Sequence, residues 1–148
     1  MIDLAKLTDH CIWANELWIG FISENCPADE YLLTRMSHIL MGEQAWFDRI
    51  SGKEPNRNIW TAITIPSLQE EQQKHRSAYQ NLVAGNIDRV IAYKRFTGEE
   101  YQSSVADILL HLTLHGAHHR GQMATHVSGR GMKPINADFI QYCLSNRL

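Results

Sequence analysis

The chain has 148 residues, of which 44% are hydrophobic and 20% are charged. This length and composition are typical of one globular domain, so we expect a single domain over residues 1–148 and exclude a disordered or low-complexity chain. The 14 Lys and Arg against 16 Asp and Glu give a formal net charge of -2, which leaves no basic surplus for a phosphate backbone, and we expect no nucleic-acid partner.

Two helices are predicted in the first part of the chain. Residues 2–24 carry apolar residues at helical spacing, and Asn25-Cys26-Pro27 ends this helix because the residue before a proline avoids the α region. Asp29 is a suitable N-cap for a second helix, which runs to about Ile50 and stops at Ser51-Gly52.

The middle of the chain alternates between loop and regular structure. Residues 53–66 contain prolines and asparagines and are predicted as a loop. The sequence Ser67-Leu68-Gln69-Glu70 has the form of a capping box, which predicts a polar third helix ending near Gly85-Asn86. Residues 89–96 and a Thr97-Gly98 turn predict a short extended piece or a hairpin.

Ser103 or Ser104 caps a long fourth helix that ends at Gly129 or Gly131, and a short last helix is predicted from about Asp138 to Asn146. Four main helices with short connections predict an all-α fold, an antiparallel four-helix bundle with a strand-like segment before the last long helix. The alternative, a winged-helix arrangement, requires a shorter fourth helix and more basic charge.

The cysteines and the apolar residues indicate the cellular setting. Cys11, Cys26 and Cys143 are scattered without a Cys-x-x-Cys pair, which argues against a disulfide framework or a zinc ribbon and favours a reducing compartment. The first residues do not resemble a signal peptide, and no stretch of about 18 apolar residues occurs. We therefore expect a cytoplasmic protein that does not associate with membranes.

Histidine is more frequent than expected for a chain of this length. The chain has eight histidines, and four of them fall between His111 and His119. On a helical wheel, one stripe about 80° wide holds five polar side chains of the fourth helix. These are His111, His115, His119, Gln122 and His126. Apolar residues flank the stripe, so we expect it to face inward.

Buried imidazoles need partners, and a metal ion supplies one for several rings at once. His115 and His119 are four residues apart and project to one side of the helix. Zinc needs a third protein ligand, for which the best candidate is His38, bordered by the small residues Gly42 and Ala45. A single such pair is common by chance and buried histidines are often satisfied by hydrogen bonds, so a metal-free interpretation stays open.

The string His115-Gly116-Ala117-His118-His119-Arg120-Gly121-Gln122 closely resembles the signature of the DinB/YfiT-like metalloenzyme family. Further features match that family in the same order along nearly the whole chain. They are Trp13-Ala14-Asn15, then His38, Glu43, Trp46 and Gly52, then Tyr93 and Gly98, and finally Gly129, Pro134 and Asp138.

The resemblance implies a four-helix bundle, often dimeric, with a three-histidine site for zinc or nickel. Carried over by position, the ligands are His38, His115 and His119. Some members of the family transfer low-molecular-weight thiols, whereas others are described only as damage-inducible or as hydrolases. The resemblance therefore implies the type of site more firmly than the reaction.

Three hypotheses follow. In the first, a divalent ion activates a thiol or a water molecule, so that the protein transfers a low-molecular-weight thiol to a small-molecule electrophile or hydrolyses its substrate. His111, Gln122 and His126 would then be proton carriers or orienting groups around the ligands. In the second, the protein binds metal without catalysis, as a stress-response protein. In the third, no metal binds.

Four further expectations concern packing. Apolar residues opposite the histidine stripe, at Leu110, Leu114, Ala117 and Ala124, predict a homodimer interface, because a helix apolar on all sides must be buried on all sides. Arg120 points away from the stripe and is expected to pair with an acid on a neighbouring helix. Glu43 is expected to form hydrogen bonds within the bundle, and Trp60 to serve as core or rim packing.

Overall fold

The computed structural model describes residues 3–145, and this part of the chain is mostly helical, with five helices and one two-stranded antiparallel sheet. In chain order the elements are α1 (Leu4–Asn25), α2 (Glu30–Ile50), α3 (Ile65–Ala84), β1 (Val90–Lys94), β2 (Glu100–Ser104), α4 (Val105–Gly129) and α5 (Phe139–Ser145). The predicted end of the last helix at Asn146 lies outside the described residues.

Two of the predicted helix caps are confirmed, and a third is wrong. Asp29 accepts a hydrogen bond from the Leu32 amide at 3.0 Å, and Ser104, one of the two residues proposed for α4, is its N-cap. By contrast, α3 begins at Ile65 and is capped by Thr64, so the capping box predicted at Ser67 lies inside the helix. The predicted loop is shorter because its last proline occupies the first helical turn, where the missing N–H has no partner to lose.

The extended segment before α4 is one strand of a hairpin. β1 and β2 pair antiparallel, with Val90 opposite Ser104, so the hairpin alternative is confirmed and the second strand is new. Gly98 closes the turn by donating its amide to the Arg95 carbonyl at 2.9 Å. Its φ of 92° lies in the left-handed region, which glycine adopts without steric cost.

The four long helices pack together, and both α1 and α2 contact α3 and α4. One apolar cluster contains Trp18, Ile22, Leu32 and Met123, and a second one, nearer the hairpin, contains Phe47, Tyr79, Ile108 and Leu109. The predicted length of the last long helix is confirmed by the 25 residues of α4. Within residues 3–145, no helix combines the length and apolar character that crossing a membrane requires.

A row of hydrogen-bonded polar side chains, the polar chain, crosses this apolar interior. It consists of Arg120, Asn15, Glu43 and His75, one from each long helix, and all four are buried. Arg120 Nη1 donates to the side-chain oxygen Oδ1 of Asn15 at 2.6 Å. The side-chain Nδ2 of Asn15 donates to Glu43 Oε1 at 3.0 Å. The other Glu43 oxygen lies 2.7 Å from His75 Nδ1. Arg120 therefore reaches Glu43 through the Asn15 amide, and through longer contacts of the Cys11 thiol, rather than directly. This corrects the predicted direct pairing, and Glu43 bonds as expected.

Gly116 leaves the space through which Arg120 reaches the polar chain. A Cβ atom at Gly116 would lie 2.7 Å from Arg120 Nη1 and 3.5 Å from Cys11 Sγ. The arginine side chain therefore lies over the preceding turn of its own helix, and a side chain at position 116 would have to displace the guanidinium from Asn15.

The apolar face opposite the histidine stripe is only partly covered. Leu110 and Ala124 are half-buried, whereas Ala117 is exposed and Leu114 has an exposed fraction of 63%. The prediction that this face forms a homodimer interface is untested within a single chain and stays a prediction.

We predict that Asn15→Ala lowers the free energy of unfolding by about 3 kcal/mol or more, because it leaves a buried guanidinium and a buried carboxylate without their shared partner. The matched control is Asn25→Ala in the same helix. Asn25 is exposed and bonds only the Phe21 carbonyl, so its loss should cost less than about 0.5–1 kcal/mol. Urea unfolding measures both, and equal costs would contradict the importance of the polar chain.

Candidate metal centre

Three of the predicted site residues come together. His38 from α2 and His115 and His119 from α4 each offer a ring nitrogen, and these atoms all lie within 4.8 Å of one another. The Nε2 atoms of His115 and His119 are 3.2 Å apart. The His38 ring centroid lies 5.1 Å from that of His115 and 4.6 Å from that of His119. We call this group the histidine cluster.

Hydrogen bonds on the outer side of two rings fix which nitrogen faces the centre. His38 Nδ1 lies 2.8 Å from the Ile59 carbonyl oxygen, which can only accept, so Nδ1 carries the hydrogen and Nε2 keeps its lone pair. His119 Nδ1 lies 2.7 Å from Gln122 Oε1 and donates in the same way. Both rings are therefore held in the tautomer that a metal ligand needs at Nε2.

The donor set fits a divalent transition metal ion. Two nitrogens bound at about 2.0–2.1 Å in a tetrahedral site lie about 3.3 Å apart, close to the 3.2 Å between the two Nε2 atoms of α4. Three imidazoles without a carboxylate or thiolate suit zinc, nickel, copper and iron alike, and they leave a coordination position for another ligand. The histidine cluster can therefore bind a metal ion, as the sequence predicts.

The surroundings keep the three rings neutral near pH 7. Burial and the neighbouring imidazoles lower the pKa of His115 from its ordinary value of 6.5 to about 3. Burial also lowers the pKa values of His38 and His119, although hydrogen bonds to Ile59 and Gln122 oppose it. Neutral imidazole is the form that binds metal, so protons do not compete for these rings at neutral pH.

Two contacts shape the space around the histidine cluster. A Cβ atom at Gly42 would lie 3.2 Å from His115 Cε1, so the predicted room beside His38 is used by the His115 ring. Trp60 stacks on His38 with ring centroids 3.5 Å apart and an interplanar angle of 8°. Trp60 and the Ile59 carbonyl lie in the loop between α2 and α3, and sequence periodicity offers no signal for their positions.

The three surrounding residues of the stripe have different environments. Gln122 bonds His119 directly. The His111 ring lies 5.7 Å from that of His115, but the residue is exposed, so the prediction that the whole stripe faces inward is wrong at this position. His126 bonds Asp29 at 2.9 Å and stacks on Tyr31 instead. It follows His119 by two turns, roughly 10 Å along the helix, so the stripe is longer than one site and the structure does not bring His126 to the cluster.

No thiol lies in the histidine cluster, which consists of imidazoles alone. Cys11 and Cys26 are buried, and burial raises the pKa of each thiol. Cys143 lies on α5. The described cysteines therefore offer no thiolate to this site.

Comparison with known proteins agrees with the site geometry. A model of the DinB family matches residues 24–146, a range that includes all three histidines of the cluster. No curated protein matches the chain significantly.

We predict that His38→Ala, His115→Ala and His119→Ala each abolish stoichiometric binding of zinc or nickel, because two imidazoles alone make a weak site. The control is His118→Ala, which removes an exposed neighbour on the same helix. Elemental analysis after dialysis, on protein without a histidine tag, gives the metal content. Equal loss in His118→Ala would show that the ligands are assigned incorrectly.

We also predict that Gln122→Leu weakens metal affinity about 10–100-fold without changing the number of sites, because it removes the acceptor that orients His119. Gln122→Glu retains an acceptor and should bind at least as tightly as the wild type. Competition with a chromophoric chelator measures both affinities. An unchanged affinity in Gln122→Leu would remove the orienting role.

Proposed function

The chain belongs to the DinB family, and from this premise we propose that it is a metal-dependent enzyme with His38, His115 and His119 as ligands of a divalent ion. The observation that carries the proposal is the convergence of three ring nitrogens within 4.8 Å. Three protein ligands leave a position for a small-molecule substrate.

We place this site in a single domain over residues 1–148, built as an antiparallel four-helix bundle of α1 to α4. The support is the packing of α1 and α2 against both α3 and α4. We propose a homodimer that covers Leu114 and its neighbours on α4. The support is the exposed fraction of Leu114, 63%, beside the exposed Ala117 on the same helix.

A zinc or nickel ion held by three neutral imidazoles would retain its full charge and supply a Lewis acid that activates a bound thiol or water near neutral pH. The protein's own part is to hold the rings in place. Ile59 and Gln122 fix two of them through Nδ1, and the Trp60 ring shields the face of His38 from water.

We favour a thiol over water as the nucleophile. Coordination to a divalent ion would lower the pKa of a bound thiol and of a bound water alike, so the ion itself does not choose between them. The preference for the thiol rests on the resemblance to family members that transfer low-molecular-weight thiols. Since no described cysteine reaches the cluster, the thiol would arrive as a low-molecular-weight cosubstrate.

The resulting reaction is a thiol transfer. A sulfur–carbon bond forms on the electrophile, its bond to the leaving group breaks, and the thiol proton leaves. His111 is placed to accept this proton, because its ring lies 5.7 Å from that of the ligand His115. Neither of its ring nitrogens has a hydrogen-bond partner in the part of the chain that the structure describes. His126, bonded to Asp29, would instead anchor α4.

The alternative is a metal-binding or stress-response protein without catalysis. In one form of this alternative, the ion is structural. The fold does not require such an ion, because the apolar clusters and the polar chain connect the four long helices without a metal. We therefore predict that stripping the metal with a chelator leaves the helical circular dichroism intact and lowers the melting temperature by only a few degrees. Unfolding on stripping would favour a structural ion.

The thiol is tested with cobalt-substituted protein, in which a coordinated thiolate gives a near-ultraviolet charge-transfer band. We predict that 2-mercaptoethanol produces this band in the wild type and not in His115→Ala. Transfer to a chromogenic electrophile should depend on the same histidine. A band without transfer to any electrophile would favour the non-catalytic alternative, and no band with hydrolytic turnover would favour water.

A further inference from the structure

A cleft beside the histidine cluster has the chemistry of an anion site. It has a volume of about 420 Å³ and lies between the last turns of α2, the hairpin and α4. Its walls include Trp46, Arg49, Tyr93, Arg95, Phe96 and His111. Two arginines therefore share a cleft whose other walls are mainly aromatic.

Both arginines lack a counter-ion. Among residues 3–145, the ion pairs include neither Arg49 nor Arg95. Glu54 attracts Arg49 electrostatically but does not reach ion-pair distance, and Arg95 opposes this attraction. The cleft therefore carries an excess of positive charge.

Arg49 is held firmly while its hydrogen-bond donors remain available. Its Cζ atom lies 4.7 Å from the Trp46 ring centroid, 4.9 Å from that of Phe96 and 5.8 Å from that of Tyr93. These rings stabilise the charge. The Nε atom is shielded from solvent and has no hydrogen-bond partner, so the two terminal Nη atoms are the donors that face an anion, and no ion pair among residues 3–145 uses them. A planar guanidinium fixed in this way is suited to bind a carboxylate or a phosphate through two parallel hydrogen bonds.

The cleft leads toward the histidine cluster. His111 lines it, with a ring 5.6 Å from that of Trp46 and 5.7 Å from that of His115. His111 therefore belongs to the wall of the cleft and also contacts the ring of one ligand.

We propose that this cleft binds the carboxylate or phosphate group of a small anionic substrate, with Arg49 as the principal contact and Arg95 as a second. Anion binding itself does not need the metal, whereas the statement that the anion is a substrate rests on the proposed function. The thiol or electrophile used by this protein is accordingly an acid.

The first test uses metal-free protein, so that it does not depend on the metal centre. Succinate and inorganic phosphate are titrated separately and followed by ¹H–¹⁵N spectra that include the arginine Nε–H groups, with neutral succinamide as the control. We expect one of the two anions to shift the Arg49 signal and succinamide to leave it unchanged. The tighter anion identifies the group as carboxylate or phosphate.

Four variants locate the site. Arg49→Gln should weaken anion binding by about tenfold or more, the loss expected for a hydrogen bond to a charged group, and Arg95→Gln should weaken it less. Lys94→Gln is the control, because that exposed lysine pairs with Glu100 on the neighbouring strand. Arg35→Gln tests the competing location, because Arg35 lies between Tyr31 and Trp60 and its buried Nε also lacks a partner.

Three results would overturn the proposal. The first is that neither anion binds, and the second is that Lys94→Gln or Arg35→Gln weakens anion binding as much as Arg49→Gln does. The third is that the anion binds only to metal-loaded protein and that Arg49→Gln leaves its affinity unchanged. A second readout connects the cleft to the thiol. In cobalt-substituted protein, mercaptosuccinate should bind more tightly than 2-mercaptoethanol, and Arg49→Gln should remove most of that difference. If wild-type cobalt-substituted protein shows no cobalt–thiolate band but still binds the anion, the proposed function is contradicted and the anion site is not.

Discussion

The buried polar chain of Arg120, Asn15, Glu43 and His75 is the constraint on which the rest of this structure depends. A guanidinium and a carboxylate inside an apolar core are costly unless each is fully bonded. Here every long helix contributes one member, so sliding or rotating any helix breaks at least one bond. Apolar packing alone tolerates many registers, whereas this row of hydrogen bonds has one arrangement.

The same constraint positions the histidine cluster. Arg120 follows His119 directly, and Glu43 follows Gly42, the residue that contacts His115. Fixing Arg120 and Glu43 through Asn15 therefore fixes the two ligand-bearing helices relative to each other at the level of the site. Backbone and side-chain acceptors at Ile59 and Gln122 then set the ring orientations. The ligands are held in place by contacts that do not require the ion.

Local sequence patterns predicted what local physics decides. The helical spacing gave the caps at Asp29 and Ser104 and brought His115 and His119 to one side of α4. One local signal was wrong: Pro66 suggested a loop but occupies the first turn of α3, a position that proline favours. The other errors concern contacts that depend on tertiary structure.

The partner of Arg120 is an amide rather than an acid, because Asn15 from a third helix bonds both Arg120 and the Glu43 carboxylate. The stacking of Trp60 on His38 depends on a loop conformation that periodicity does not encode. Helical spacing also does not show how far along α4 the site extends. The predicted stripe therefore included His126, which bonds Asp29 two turns beyond the site.

The close contact between Arg120 and Gly116 has a consequence for protein engineering. The histidine pair of α4 is part of a larger unit, because the arginine that anchors it occupies the space that a side chain one turn earlier would take. Grafting only the two histidines onto another scaffold would copy the donor atoms and lose their anchor. A faithful transplant carries the glycine, the arginine and an amide on the facing helix, and accepts about 1 kcal/mol of lost helix propensity at the glycine.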